Sequence, residues 1–409
     1  MIAKQLESRF LRYVAIDTQS DASVKKVPST EGQWELARLL VDELLSLGFE
    51  DTLLDENGIV TTKIVGNHPA KTAIGFLAHL DTVDVGLNSQ VKAQKIHYSG
   101  QEIVMNEALG IVFDKQTNPE IENYLGDEIF ISDGTSVLGA DDKAAIATMM
   151  TIAENIAKGD IEHGDLYFAF LPDEEIGLRG AKLMDLERFS PDYAYTLDCC
   201  EIGEVVYETF NAGHACVHIK GVTAHPMSAK GVLVNPILIA NDIINQFDPM
   251  QTPEHTEGRE GYIWFTDITS NAAQAKLDIA IRDHDLAKYQ DKKVQIESVI
   301  EQMSVKYPTA DIKLEMSDTY SNIANSADRC HPAVDAIFTA FAQLSITPKT
   351  LAMRGGTDGS ALSAMGLVTP NYFTGAHNFH SKYEYLPMSS FVASYNVTKT
   401  LIDNVLLKE

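Results

Sequence analysis

The sequence is short of cations. Its 409 residues hold 32 Lys plus Arg against 58 Asp plus Glu, a formal net charge of −26. A surface this acidic repels phosphate backbones and anionic headgroups, which argues against nucleic acid and membrane as partners and leaves metals, cations or small polar substrates. Cysteine is also scarce. Cys199, Cys200, Cys216 and Cys330 have none of the paired spacings of a zinc ribbon, and Cys199 and Cys200 are neighbours, a poor geometry for a structural disulfide. Reduced, mostly buried thiols are expected. No apolar run approaches the roughly 18 residues needed to span a bilayer. Residues 1–13 mix apolar side chains at helical spacing with charges, which reads as a first helix rather than a signal peptide. Internal repeats and low-complexity linkers are lacking too. A soluble, cytoplasmic protein is the expectation.

What is present is a globular composition. Hydrophobic residues make up 45% and charged residues 22%, enough apolar surface to bury a core and unlike a disordered acidic chain. The length suits two or three domains. Residues 31–47 carry helical spacing up to Gly48, and 59–65 reads as a strand after the Glu56-Asn57-Gly58 turn. Apolar runs at 74–78, 166–171 and 193–197 read as buried strands, and 144–157 as a helix ending near Gly159. This order predicts an α/β domain with a largely parallel sheet. From about Glu208 the pattern changes: strand-like alternation at 215–220, 262–268 and 277–282, with helices at 235–247 and 286–305. Past Ser321 the first pattern resumes, with a helix at 332–344 and a short strand at 371–374. The expected organisation is a discontinuous domain, 1–208 with 321–409, interrupted by an α+β insert at 209–320.

Five segments carry chemistry. Ala78-His79-Leu80-Asp81-Thr82 follows a strand pattern, and alternate side chains of extended backbone share a side, so His79 and Asp81 aim together from the strand's carboxyl end. Alone, the pair reads more readily as a histidine bonded to a turn carboxylate than as zinc chemistry, because so short a motif recurs by chance. Leu138-Gly139-Ala140-Asp141-Asp142-Lys143-Ala144 opens a helix; Asp141 there either caps amides or bridges two metals about 3.5 to 4 Å apart. Phe170-Leu171-Pro172-Asp173-Glu174-Glu175-Ile176-Gly177 sets adjacent glutamates after a buried strand, where one can hold metal while the other moves protons. Asp198 ends the strand-like 193–197, and His380 lies in the late loop Phe373-Thr374-Gly375-Ala376-His377-Asn378-Phe379-His380.

Together these pieces resemble the di-zinc aminoacylase and carboxypeptidase G2-like peptidase family, and more closely its tripeptide-aminopeptidase branch. Asp133-Gly134-Thr135, Thr252-Pro253-Glu254-His255-Thr256-Glu257-Gly258 and Arg354-Gly355-Gly356-Thr357-Asp358-Gly359 add to the likeness, which covers nearly the whole chain. The resemblance implies a zinc-exopeptidase-like, mostly parallel sheet with flanking helices, interrupted by a ferredoxin-like lid and dimerisation domain. It implies two zinc ions per subunit, with cobalt or manganese as substitutes. His79, Asp141 and Asp198 would hold one ion, and Asp141, Glu175 and His380 the other. Glu174 would be the acid/base, and Asp81 the carboxylate that orients His79. A cis peptide between Asp141 and Asp142 is expected. His225, in Thr223-Ala224-His225-Pro226, would reach a neighbouring subunit's oxyanion, making the active form at least a homodimer. Arg282 and Arg354 would grip the substrate's carboxylate.

The implied activity is release of the N-terminal residue from short peptides, preferentially tripeptides. The alternatives are a dipeptidase or N-acyl-amino-acid deacylase and, in another class, a non-catalytic metal-binding or assembly protein. His377 departs from the family's usual residue and is expected to be a pocket neighbour rather than a ligand. Cys199 and Cys200 replace small residues beside Asp198.

Overall fold

The computed structural model describes residues 1–70 and 72–406. They form two compact units: Met1–Tyr207 with Ser326–Leu351 and Thr357 onwards, and Glu208–Asn325 with Ala352–Gly356.

The first unit is built on an eight-stranded sheet in the order Thr52–Leu54, Val60–Ile64, Leu166–Leu171, Ile74–His79, Tyr193–Cys199, Asn371–Phe373, Glu204–Glu208, Lys349–Ala352. From Leu166–Leu171 to Asn371–Phe373 neighbouring strands are parallel. Outside them Val60–Ile64 and Glu204–Glu208 pair antiparallel, so the sheet is mixed with a parallel centre. Leu166–Leu171 and Ile74–His79 are buried at every position. That is the mark of parallel strands covered on both faces, and it is why their sequences run apolar without alternation. The Ala-rich helix Ala140–Ala157 packs against this centre and is buried almost throughout. Its first turn departs from helical geometry at Asp141 (φ −79°, ψ 99°) and Asp142 (φ −121°, ψ 24°), and the peptide between them is cis. Because the central strands run in parallel, their carboxyl ends meet at one edge, and in such sheets ligands bind there.

A small antiparallel sheet of Gln94–His97, Glu128–Ile131 and Tyr385–Pro387 has its own apolar cluster, including Tyr98, Phe113, Ile121, Ile129, Ile131 and Tyr385. The sequence pattern does not announce it. Its strands are three or four residues long, and Gln94–His97 alternates half-buried and exposed side chains without an apolar run.

The second unit is a four-stranded antiparallel sheet in the order Tyr262–Ser270, Gln274–Asp283, Asn211–Lys220, Asp311–Tyr320, with helices Pro236–Ile244 and Leu286–Lys306. Along the chain this is strand, helix, strand, strand, helix, strand, the ferredoxin-like arrangement. Period-two alternation sends Ala215, Val217, Ile219, Leu277, Ile279 and Ile281 into one core with Ile239, Ile243, Ile296 and Ile300 of the helices. Asn235 and Asp285 cap the two helices by accepting from the Ile237 and Lys288 amides. No helix among the described residues is long and apolar enough to cross a membrane.

Candidate metal centre

His79 is the last residue of its strand, level with Leu171 on the neighbouring one. The chain beyond Leu171 turns sharply at Asp173, whose φ of 56° lies in the left-handed region. Buried bonds hold that turn. The Asp173 carboxylate accepts from the Ser29 amide (2.9 Å), Ser29 Oγ (2.6 Å) and Gln33 Nε2 (2.7 Å), while the Asp173 amide donates to Gln33 Oε1 (3.0 Å). Glu174 and Glu175 therefore leave the turn at a fixed angle beside His79.

Asp141 is central. Its Oδ1 lies 2.8 Å from His79 Nε2 and its Oδ2 lies 3.1 Å from His380 Nε2. His380 Nε2 also meets Glu175 Oε1 at 2.9 Å, yet that buried oxygen lies off the line of a hydrogen bond and has no hydrogen-bond partner. One ring nitrogen thus faces two carboxylate oxygens, more than one N–H can serve. His79, Asp141 and Glu175 each bring a donor atom within 4.8 Å of one another, the only such group of three or more His, Cys, Asp or Glu side chains among the described residues.

The electrostatics lead the same way. Asp81, Asp141, Asp142, Glu174, Glu175, Asp198, Asp358 and Glu384, buried or half-buried, crowd around two imidazoles. Burial, then Asp198, pushes the Glu174 carboxyl well up; burial, then Asp141, pushes Asp198 well up and raises Glu175. Asp358 and Glu384 are each pushed up to about 7, chiefly by burial. Burial works against the charged form of Asp141 too, but His380 and His79 outweigh it and hold that carboxyl well below the usual range. Excess buried negative charge, an oxygen without a partner and imidazole nitrogens facing carboxylates make a donor set that fits divalent cations.

Asp81 meets both His79 and the glutamate turn. His79 Nδ1 contacts the Asp81 backbone carbonyl at 3.0 Å, while the Asp81 carboxylate is 3.6 Å from it. That carboxylate accepts from the Glu174 amide (2.9 Å) and the Glu175 amide (3.2 Å). The carboxylate thus faces the His79 ring and the glutamate turn together, with the backbone carbonyl the nearer partner of the imidazole. Asp198 lies inside its strand, which runs on to Cys199.

His377 is turned to other work. It stacks on Tyr385 with ring centroids 4.6 Å apart, and its Nε2 is 2.7 Å from the Tyr124 hydroxyl. Burial lowers its pKa to about 4. Cys199 and Cys200 are unpaired thiols, and burial with the nearby Glu204 raises both, so neither presents a thiolate.

His225, Arg282 and Arg354 belong to the second unit. His225 is exposed, and its Nδ1 accepts from the Met227 amide at 3.2 Å. Arg282 Nη1 donates to the carbonyls of Gly213 and Ile281, both at 2.9 Å. Arg354 Nη1 donates to Gly258 O (3.2 Å) and Glu260 O (2.8 Å), and its Nη2 to Thr256 Oγ1 (2.7 Å), with the guanidinium over the Phe210 and Tyr262 rings. The Thr252 to Gly258 motif is thereby bound to the Arg354 motif.

Glu384 is a residue that sequence patterns do not single out. Fully buried, it accepts from the amides of Leu138, Gly139 and Asp141. Its one signal is its place four residues after His380, which means nothing until the loop is folded.

The chain matches the model of Peptidase family M20/M25/M40 over residues 138–404. It is 55% identical over 400 residues to a peptidase T-like protein of Yersinia pestis, covering 98% of this chain and 97% of that one. It is 41% identical over 402 residues to peptidase T of Geobacillus thermodenitrificans, covering 98% of each. A tripeptidase from Staphylococcus aureus shares the fold with a TM-score of 0.77 at 20% identity over 99% of both chains. Aminopeptidase PepT from Bacillus cereus does so with a TM-score of 0.77 at 21% identity over 98% of both. With more than half its length matched by the family's model and relatives aligned end to end, the chain belongs to peptidase family M20/M25/M40.

Proposed function

We propose that the protein is a cytoplasmic, homodimeric, metal-dependent aminopeptidase that releases the N-terminal residue from short peptides, preferentially tripeptides, with two zinc ions per subunit. The observation that carries this is Asp141, whose two oxygens face different histidines as a bridging carboxylate would. His79, Asp141 and Asp198 hold one ion; Asp141, Glu175 and His380 hold the other, and cobalt or manganese can substitute. The relatives named peptidase T support the peptide substrate.

When bound, the zinc pair supplies Lewis acidity that lowers the pKa of water and polarises the scissile carbonyl. Glu174 takes the proton of the attacking water and delivers it to the leaving amine. Its burial suits it to both steps, because a carboxyl shielded from bulk water can keep the proton until the amine leaves. Asp81 holds the Glu174 amide while this happens. His225, with Nδ1 occupied as an acceptor, carries its neutral-ring proton on Nε2, and from a second copy of the chain that N–H stabilises the oxyanion. Arg282 binds the peptide's carboxylate through its Nε and Nη2 edge, since its Nη1 protons are already donated to carbonyls, and Arg354, whose Nη2 also donates to Thr256 Oγ1, adds its Nε and remaining Nη2 protons.

A substrate panel tests the reading: free tripeptides, free dipeptides and N-acetyl amino acids, each with zinc, cobalt or manganese. Tripeptides are expected to give the highest kcat/KM. A preference for blocked amines would make the protein a deacylase, and no hydrolysis of any substrate would leave a metal-binding protein.

A further inference from the structure

Three buried carboxylates tie the ligand-bearing segments to one another through backbone amides. Asp81, two residues past His79, takes the amides of Glu174 and Glu175. Asp142, next to Asp141, takes the amide of His79 at 3.1 Å. Glu384, four residues past His380, takes the amides of Leu138 (2.7 Å) and Gly139 (2.8 Å) on Oε2 and of Asp141 (3.0 Å) on Oε1. Each strut starts beside one donor and ends on the segment that carries another. Glu384 is the strut between the His380 loop and the Asp141 turn.

The loop's own bonds are internal: Asn378 Nδ2 donates to Tyr383 O, the Tyr383 amide to Ser381 Oγ and the Glu384 amide to Ser381 O, each at 3.1 Å, and none of these reaches the Asp141 turn. His380 and Asn378 lie at φ of 61° and 59°, and the His380 side chain is 47% exposed, against 3% for His79. The loop closes where the His377 and Tyr385 backbones pair (2.9 and 3.2 Å), and past Glu384 the chain joins Glu128–Ile131 as Tyr385–Pro387. Leu138, Gly139 and Asp141 surround the start of the Ala140–Ala157 helix, where amides have no partner within the helix. A carboxylate is the natural acceptor for three such amides, and charge-assisted bonds of this kind are the strong ones.

We infer that Glu384 is a positioning residue: by clamping the Asp141 turn to the His380 loop it sets the gap between Asp141 Oδ2 and His380 Nε2, and so preforms one metal position before any ion arrives. It touches neither substrate nor metal. A glutamine keeps its shape but offers a single acceptor oxygen, so its NH₂ group faces an amide N–H and a buried donor is left unpaired.

This rests on the ligand set proposed above, and titration of metal-free protein with Co²⁺, followed by visible absorption against a competing chelator, separates the two. Wild type should bind two Co²⁺ per subunit; if it does not, the ligand set fails and Glu384's role falls with it. In Glu384→Gln, one of the two should bind 10- to 100-fold more weakly with an altered ligand-field spectrum, the range seen when groups that orient metal ligands are removed. Its kcat should fall while KM stays within about twofold, because the clamp acts on the metal position rather than on substrate. If Glu384→Gln binds both ions as tightly as wild type with the same spectrum, Glu384 merely supports the fold, whatever its melting temperature. Should that variant not fold, Glu384→Asp, which keeps the charge but is one methylene shorter, takes its place in the same titration: weakened binding of one ion supports the clamp, and wild-type binding of both overturns it.

Discussion

Asp81→Asn isolates what the buried carboxylate beside His79 does. The side chain is fully buried and its two oxygens each take one amide of the glutamate turn, at 2.9 and 3.2 Å. Asparagine is isosteric but replaces one acceptor with a donor, so one charge-assisted bond, worth about 1.5–3 kcal/mol, is lost and a buried N–H is orphaned. If that energy appears wholly in the transition state, kcat drops roughly 10- to 150-fold, at 1.36 kcal/mol per decade. His79 keeps its orientation, because its Nδ1 bonds the backbone carbonyl of residue 81, which the substitution does not alter. Steady-state kinetics on Asp81→Asn, Glu174→Gln and the double variant check the route of the effect. With Glu174 already unable to transfer protons, adding Asp81→Asn should cost little more. Full additivity, or weakened binding of the ion held by His79, would refute the assignment and restore Asp81 as the group that orients the imidazole.

Glu174→Gln should retain its metal ions by elemental analysis while kcat falls roughly 10²- to 10⁴-fold, the usual contribution of a general acid/base; turnover near wild type would contradict its role. Arg282→Ala should raise KM for a free tripeptide roughly 10- to 150-fold, the weight of a hydrogen bond to a charged group, and leave KM for the C-terminally amidated peptide unchanged. Equal effects on both substrates would remove Arg282 from carboxylate binding. For His377, burial depresses the pKa to about 4 from an ordinary 6.5. The unfolded chain therefore takes up this proton first as pH falls, and stability drops between pH 6.5 and 4 by up to about 3 kcal/mol. Urea unfolding of His377→Phe, which keeps a ring against Tyr385, should show a shallower loss than wild type over that window; parallel curves would contradict it.

The elements were legible where a local pattern sufficed. Leu166–Leu171 is apolar throughout because it is buried on both faces, and within Asn211–Lys220 the alternation at 215–220 sends Ala215, Val217 and Ile219 to the core. The places of His79 and Asp198 were legible for the same reason: one ends an apolar strand and the other lies one residue short of the end of another. Contacts between distant segments were not. Asp81 and His79 are two apart in sequence, which suggests a pair, yet the Asp81 carboxylate is claimed by amides 93 and 94 residues away. Glu384 answers to amides 243 to 246 residues away. The place of His377 in the loop says it is near His380, but not that it packs on Tyr385 and meets the Tyr124 hydroxyl. Ala352–Gly356 joins the second unit although the chain around it belongs to the first, and nothing in its composition says so.

The central claim is that the crowded carboxylates and two histidines hold a metal pair that cleaves peptides. Zinc content and tripeptide cleavage, measured together after chelation and during stepwise return of zinc, test it most directly. Activity should vanish in the metal-free protein and recover as bound zinc approaches two per subunit. Cleavage that persists without metal, or protein that takes up no zinc at the His79, Asp141 and His380 side chains, would contradict it.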